Sequence, residues 1–467
     1  LNSSGHIKRD YTNNNVLPFK EECVLRRWLL TGSFSKKFDQ TKNYFTPEDT
    51  ANVHKLVNTN PNKTKELILL SKKYGINKHS PICALSFLSS GGFRSKKIFA
   101  ELFPIVIENL EQLYEFMFIT KKRRGFGSVI TNSIKKWIAS KSYNTLQTEI
   151  LTYPKYYGWS FKDVLNVIKP RPRSEVENKI FQYCLHEYAG DNLAIFKCYE
   201  ELKENKDIIP NITKAHLTNR TAPGNMEHGD EAWSMFFKNM NAYDMVKNID
   251  KLVEHNVFNS ENIDLFNKKI NESSLSPFYL AKKVSDGVHN EKIEKILTNF
   301  VSNNKDELFN IGKKVCNLID IDLIYCRTMD EMNAYFTALI YSHLISSNVV
   351  YTKKFFKDKF DFVNIDNIDF VKDDINIGNM ISYRTVSLKY LKNDVETLDP
   401  EIIIIWTNNK KIETDEETKK YLMNKTVISI SFGEENHIDL YGDKSYVIRN
   451  FSYKTPKLIK IIAEGKI

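Results

Sequence analysis

The 467-residue chain has only six cysteines: Cys23, Cys83, Cys184, Cys198, Cys316 and Cys326. None forms a CxxC pair, so a zinc-ribbon or thioredoxin-type site is excluded. The six read as reduced thiols of an intracellular protein. The chain has no run of 18 apolar residues and no signal-peptide pattern, which argues against a membrane span and a membrane partner. HExxH, P-loop and GxSxG motifs are all absent, and the ten histidines are scattered. No enzyme and no cofactor are read from such a pattern. His228 lies near Glu227 and Asp230, but an acidic helix start before Trp233 accounts for these residues more simply than a metal does.

Cationic charge is what the sequence has in excess. The net formal charge is +9, with 42% hydrophobic and 27% charged residues, a globular composition. Residues 311–467 hold 22 Lys+Arg against 23 Asp+Glu, whereas residues 1–310 hold 45 against 35. The basic excess therefore sits in the first two-thirds, the place to look for a polyanion.

Residues 1–23 form a polar, Asn-rich arm. From about Val24 to Asn303 the pattern is helical. Thr46-Pro47 and Ser276-Pro277 each pair an N-cap with proline at the first helical position, and Asp49 completes a capping box at the first. Phe126, Val129, Ile130, Ile134, Trp137 and Ile138 share one helical face. In GWSFKDVL, Ser160 is an N-cap, Asp163 stands at N3, and Trp159 can staple onto Val164; the helix should stop near Lys169, ahead of Pro170. Successive helices with short connections predict stacked antiparallel pairs over residues 24–310, although no strict repeat is visible. After Gly312 the pattern changes. LIDIDLIYC, EIIIIWTNN, TVISISFG and SYVIRNF are short apolar runs typical of strands buried on both faces of a parallel sheet, and the helical segment EMNAYFTALIYSHLI follows the first. Residues 311–467 are thus expected to form an α/β domain.

One basic stretch, KKRRGFG, sets Lys121, Lys122, Arg123 and Arg124 in a row, with Lys135 and Lys136 on the next helix. KPRPR adds Lys169, Arg171 and Arg173. Between them, TYPKYYGW supplies Tyr153, Lys155, Tyr156 and Tyr157. Cations neutralise phosphates and tyrosines stack on unpaired bases, so the mixture suits RNA rather than duplex DNA. A solvated basic face is the plainer reading of the same residues.

Several segments, in order, resemble the TROVE module of the Ro autoantigen family: LRRWLLTGS, FTPEDTANVHKLV, SKKYGINKHSPICALSFL, RRGFGSVITNSIKKWI, YYGWSFKDVLNVIKP, EAWSMFFKNMNAYDMVKNIDKL and SPFYLAKKV. The α/β region resembles that family's von Willebrand factor A domain, with VIRNF as its last strand. The resemblance spans roughly residues 24–465. It implies a ring of HEAT-like helical repeats plus the A domain. It also implies binding of single-stranded RNA ends in the ring's hole and of a structured Y RNA outside. Two departures stand out. The family's histidine in Gly-Trp-Ser-His is here Phe161, and of its Tyr-Lys-Gln-Arg stretch only Lys155 carries over. In the A domain, the family's metal-site positions fall on Ile324, Cys326, Thr328, Thr385 and Asn408, with Ile324 where the first strand should end. Isoleucine cannot ligate Mg²⁺ and Asn408 is neutral, so no bound metal is expected.

The combined reading is an RNA-binding scaffold subunit of a ribonucleoprotein, with ribosomal RNA and other particle proteins as partners. A mitochondrial ribosome is one home for it, since a chain opening on Leu1 reads as processed or trimmed. One alternative is a cytoplasmic Ro-type quality-control protein that binds misfolded or Y-like RNA. Another is a protein adaptor that works through the A domain without RNA. Mitochondrial matrix and cytoplasm both stay open as locations.

Overall fold

The computed structural model describes residues 19–39, 47–123, 125–186, 193–224, 229–304, 313–320, 349–353, 360–363, 399–407, 416–432 and 442–467, apart from single residues at 274, 286, 289, 450 and 453. The chain divides into two compact units, Leu1–Gly32 with Phe45–Asn262, and Ser33–Tyr44 with Ile263–Ile467.

The described part of the first unit is helical. It begins with α1 (Phe19–Thr31), α2 (Pro47–Thr59), α3 (Pro61–Tyr74), α4 (His79–Ser89), α5 (Phe93–Val106), α6 (Leu110–Arg123) and α7 (Ser128–Ser140). It continues with α8 (Tyr143–Thr152), α9 (Phe161–Ile168), α10 (Glu175–His186), α11 (Ala194–Lys203), α12 (Ile208–Ala215), α13 (Asp230–Asn239), α14 (Ala242–Lys247) and α15 (Ile249–Glu254). Helices two apart in sequence pack together: α1 on α3, α2 on α4, α3 on α5, α4 on α6, α5 on α7 and α7 on α9. That is the stacking of a helical-repeat protein, where each pair buries its apolar face against the next. A period appears in the cross-repeat contacts. Lys65 reaches Glu101 at 2.7 Å, Lys72 reaches Glu108 at 2.6 Å, and His79 Nδ1 lies 2.7 Å from Glu115, each pair 36 residues apart. The core between the layers is aromatic: Phe99, Phe103 and Phe116 are fully buried, with centroids 5.3–5.8 Å apart. Such edge and offset contacts add to the burial of the rings themselves.

In the second unit α17 (Pro277–Ser285) packs on α18 (Glu291–Asn303), after α16 (Ser260–Asn271) at the boundary. The sheet runs β1 (Lys37–Asp39), β7 (Ser445–Arg449), β6 (Thr426–Ser431), β5 (Ile402–Thr407), β2 (Val315–Asp320), β3 (Val349–Lys353), β4 (Phe360–Val363) from edge to edge. All neighbours are parallel except β3 and β4. Every residue of β5 is buried, as a central strand covered on both faces requires. Trp406 is fully buried there, and its indole N–H donates to Asn317 Oδ1 on β2 at 3.0 Å. Two further helices, α19 (Glu416–Met423) and α20 (Thr455–Ala463), accompany the sheet.

Two sequence expectations need correcting. The stretch after Val24 is not all helical, because β1 interrupts it and pairs with β7, Lys37 opposite Val447. Three residues are too few to carry a period-2 signal. The parallel sheet also ends in the antiparallel β4, a common feature of mixed sheets. The helical segment EMNAYFTALIYSHLI lies outside the described residues, as do the metal-site positions Ile324, Cys326, Thr328, Thr385 and Asn408. The described part of β2 closes on Asp320, four residues before Ile324 and in register with Thr407.

Candidate nucleic-acid interface

Two connections of the helical unit meet: α6–α7, which contains RRGFG, and α8–α9, which contains YPKYYGW. The second is a tight two-residue turn. Tyr156 N–H donates to Trp159 O at 2.9 Å, and Trp159 N–H to Tyr156 O at 2.8 Å. The central residues Tyr157 and Gly158 both have positive φ, 52° and 77°. That is the signature of a type I′ turn, which glycine adopts freely and tyrosine does not. The backbone cost at Tyr157 sets its ring beside Phe118 of α6, centroids 5.8 Å apart, with 40% of the residue exposed.

Trp159 leaves this turn inward. It is 6% exposed, and Phe126 meets it edge-on at 5.7 Å and 84°. The two aromatic–glycine motifs of the sequence therefore pack on each other. The next residue starts α9 with a complete capping box: Asp163 N–H donates to Ser160 Oγ at 3.3 Å, and Ser160 N–H donates to Asp163 Oδ2 at 2.9 Å. Val164 and Phe161 are buried, and α9 stops at Lys169 in the left-handed conformation. Phe161, the position of the family's histidine, tilts against Phe181 of α10 at 6.2 Å, so it belongs to the core.

Cations are laid over these rings. Lys121 Nζ is 5.1 Å from the Trp159 ring and Lys122 Nζ 4.2 Å from Phe118. At the other end Tyr153 meets Tyr156 at 5.8 Å, and the Arg220 guanidinium lies 5.8 Å from Tyr153. Arg220 is held by Asp244 at 3.5 Å. The result is a strip of five rings with cations at both ends: Lys121 on Trp159 and Lys122 on Phe118, which meets Tyr157, then Tyr156 on Tyr153, closed by Arg220. Burial, reinforced by the charges of Glu115 and Glu111, pushes the Tyr157 hydroxyl up to about 12. It thus stays protonated and able to donate to an anionic oxygen.

The other basic residues singled out in the sequence divide into two groups. Lys155 is exposed just before the turn. Lys135 and Lys136 on α7, and Lys169 and Arg171 after α9, are half to fully exposed, and none of the ring contacts above includes them. Two arginines serve packing instead. Arg123 stacks on Phe87 at 3.7 Å and donates to Ser90 Oγ at 3.4 Å. Arg173 grips the buried Glu177 at 2.8 Å and reaches the carbonyls of Ala139 and Lys141 at the end of α7. Arg124 lies outside the described residues. Sequence reading missed Phe118 and Arg220. Phe118 could have been found from its i,i+4 spacing to Lys122. Arg220 is 67 residues from Tyr153, and no local pattern points to it.

His228 and Glu227 lie outside the described residues; Asp230 opens α13 and its carboxylate meets His255 Nδ1 at 2.8 Å. Among the described residues, no three His, Cys, Asp or Glu side chains gather as a metal ion would need, and no helix is long and apolar enough to cross a membrane.

No family model matches the chain. A Caenorhabditis elegans protein named RNA-binding protein RO60 is 23% identical over 203 residues, which cover 35% of this chain and 32% of that protein. The crystal structure of the Ro (RSR) protein of Deinococcus radiodurans superposes with a TM-score of 0.80 at 13% identity, covering 96% of this chain and 100% of that one. The chain is therefore similar to Ro proteins, over part of its sequence and across its fold. Its fold is the Ro fold of helical repeats with a von Willebrand factor A-like α/β unit. The matched segment spans about a third of the length of the curated Ro relative.

Proposed function

We propose that this chain is a Ro-type protein that binds RNA through the cation–aromatic strip, contacting unpaired nucleotides. The carrying observation is that Lys121, Lys122 and Arg220 flank the rings Trp159, Phe118, Tyr157, Tyr156 and Tyr153. Cations beside the rings neutralise phosphates, and the exposed faces of Tyr156 and Tyr157 accept bases that are free to unstack. A-form duplex offers no such free base faces, and its deep major groove is closed to side chains. The printed name of the Caenorhabditis elegans relative, an RNA-binding protein, agrees with this reading. We read the chain as a binding protein and not an enzyme. The Ro-type reading, RNA bound as quality-control cargo or as a small structured partner, draws on both comparisons. The ribosomal-scaffold and mitochondrial readings gain no support from either.

The test is equilibrium binding of a labelled single-stranded RNA across a salt series. Lys121→Ala with Lys122→Ala should weaken binding and flatten the log–log salt slope by about 1.4, at roughly 0.7 per lost phosphate contact on a single strand. An unchanged slope would remove both lysines from the interface. Equal affinity for a duplex of the same length would remove the role given to the tyrosines.

A further inference from the structure

The α4–α5 turn carries an aromatic that the fold does not use. Phe93 is 88% exposed, while the other large exposed hydrophobic residues described lie between 37% and 54%. A single exposed ring is ordinary on a protein surface. Its position is what sets this one apart. Ser90, three residues before it, accepts from Arg123 at 3.4 Å and faces His54 Nε2 at 3.2 Å. Arg123 ends α6, one residue after Lys122 and two after Lys121, which lies over Trp159. The α4–α5, α6–α7 and α8–α9 connections therefore follow one another along one edge of the repeat stack. Three residues of chain span no more than about 10 Å, so Phe93 extends the row begun by the candidate strip.

The charge around Phe93 matches that of the strip. From Ser89 to Ala100 the chain carries Arg94, Lys96 and Lys97 and no acidic residue. The next acid, Glu101, is paired with Lys65 at 2.7 Å. Protein–protein interface cores are depleted of lysine, and one ring with cationic neighbours supplies little of the contiguous apolar area they need. A ring whose faces are open and whose neighbours are cations suits a nucleobase with phosphates on either side.

Resting on the RNA-binding reading above, we propose that Phe93 is a stacking platform for one unpaired base of the same strand. Arg94, Lys96 and Lys97 would contact the flanking phosphates. Bound RNA then runs beyond the α6–α7 and α8–α9 connections on to the α4–α5 turn.

The experiment uses the full chain and a fluorescein-labelled oligouridylate of about 16 nucleotides, read by anisotropy over a salt series. Phe93→Ala should weaken binding about 5- to 150-fold, the range for loss of one stacked base. The salt slope should not move, because no phosphate contact is lost, and Phe93→Trp should restore affinity. The melting temperature of each variant should equal the parent's, since the ring is outside the core. Parental affinity in Phe93→Ala, with Lys121→Ala still weakening binding, would overturn this proposal and leave the strip intact. A parent that does not bind the oligomer would overturn both. A slope lowered in Phe93→Ala would show that phosphate contacts were lost instead, and would also count against stacking. Parental RNA affinity with altered sedimentation would reassign the ring to contact between copies of the chain.

Discussion

Replacing Trp159 by alanine separates a structural role from an RNA-stacking role at the most conspicuous aromatic of the sequence. The indole is 6% exposed, sits edge-on to Phe126 and carries Lys121 over its face. A buried aromatic of this size hides about 150–250 Å². At about 25 cal/mol per Å² that is roughly 4–6 kcal/mol of burial, close to the 3–5 kcal/mol found for Trp or Phe to Ala in cores. For a unit of this size each kcal/mol moves the melting temperature by about 2–4 °C. Trp159→Ala should therefore melt some 6–20 °C lower, read by circular dichroism. Trp159→Phe, which keeps a ring against Phe126, should recover a good part of the loss. Below both transitions RNA affinity should fall only modestly, because Tyr156 and Tyr157 present the exposed faces. A variant that melts like the parent yet no longer binds RNA would refute the reasoning, since it would make the indole an open platform.

Arg173→Ala should destabilise the helical unit by about 2 kcal/mol, with no change in RNA salt slope. That is less than the 3–5 kcal/mol of a fully buried pair, because the guanidinium keeps 37% of its side-chain surface in water; a lowered slope would return Arg173 to the interface. Burial, with Arg123 nearby, holds the His54 imidazole below its ordinary value. The folded state then binds fewer protons than the unfolded one just below pH 6.5, so this stability is complete above pH 6.5 and is lost as pH falls through the folded value. Thermal melts from pH 7.5 to 5 should fall more steeply in the parent than in His54→Gln, and parallel curves would count against it. Trp406→Phe should cost about 1–3 kcal/mol beyond its volume change by leaving the buried Asn317 carbonyl without its donor; the double variant with Asn317→Leu should recover part of that in a chemical-denaturation cycle.

How far the sequence discloses this molecule depends on the range of each interaction. The start of α9 was legible because a capping box spans four residues and names its own donors: Ser160 and Asp163 bond as their spacing predicts. The central strands were legible because burial on both faces writes itself into each residue, as in Ile402–Thr407. The repeat was hidden because its period lives in partners rather than in identities: Lys65, Lys72 and His79 meet Glu101, Glu108 and Glu115 at one constant offset, yet no residue type recurs between the two sets. The candidate interface was half legible. Lys121, Lys122, Tyr156 and Tyr157 stood out as basic and aromatic residues. The inward turn of Arg123 onto Phe87 depends on a helical residue 36 positions earlier, and the closing cation, Arg220, comes from far down the chain.

The edge strand β1 has a consequence for the order of events during synthesis. Lys36 donates to the backbone oxygen of Asp443, a partner 407 residues downstream, and among the described residues the strand it precedes pairs with β7 alone. A ribosome adding about 5–20 residues per second needs roughly 20–80 s to make that partner. Helices α2 to α9, whose contacts are nearly all with close neighbours in sequence, can be stacked long before then. Residues Lys37–Asp39 must meanwhile wait unpaired, and the second unit cannot finish its sheet until almost the last residue has left the ribosome. A chain truncated shortly before Ser445 would therefore release β6 and β1 with bare, mutually complementary edges, a template for association between nascent chains.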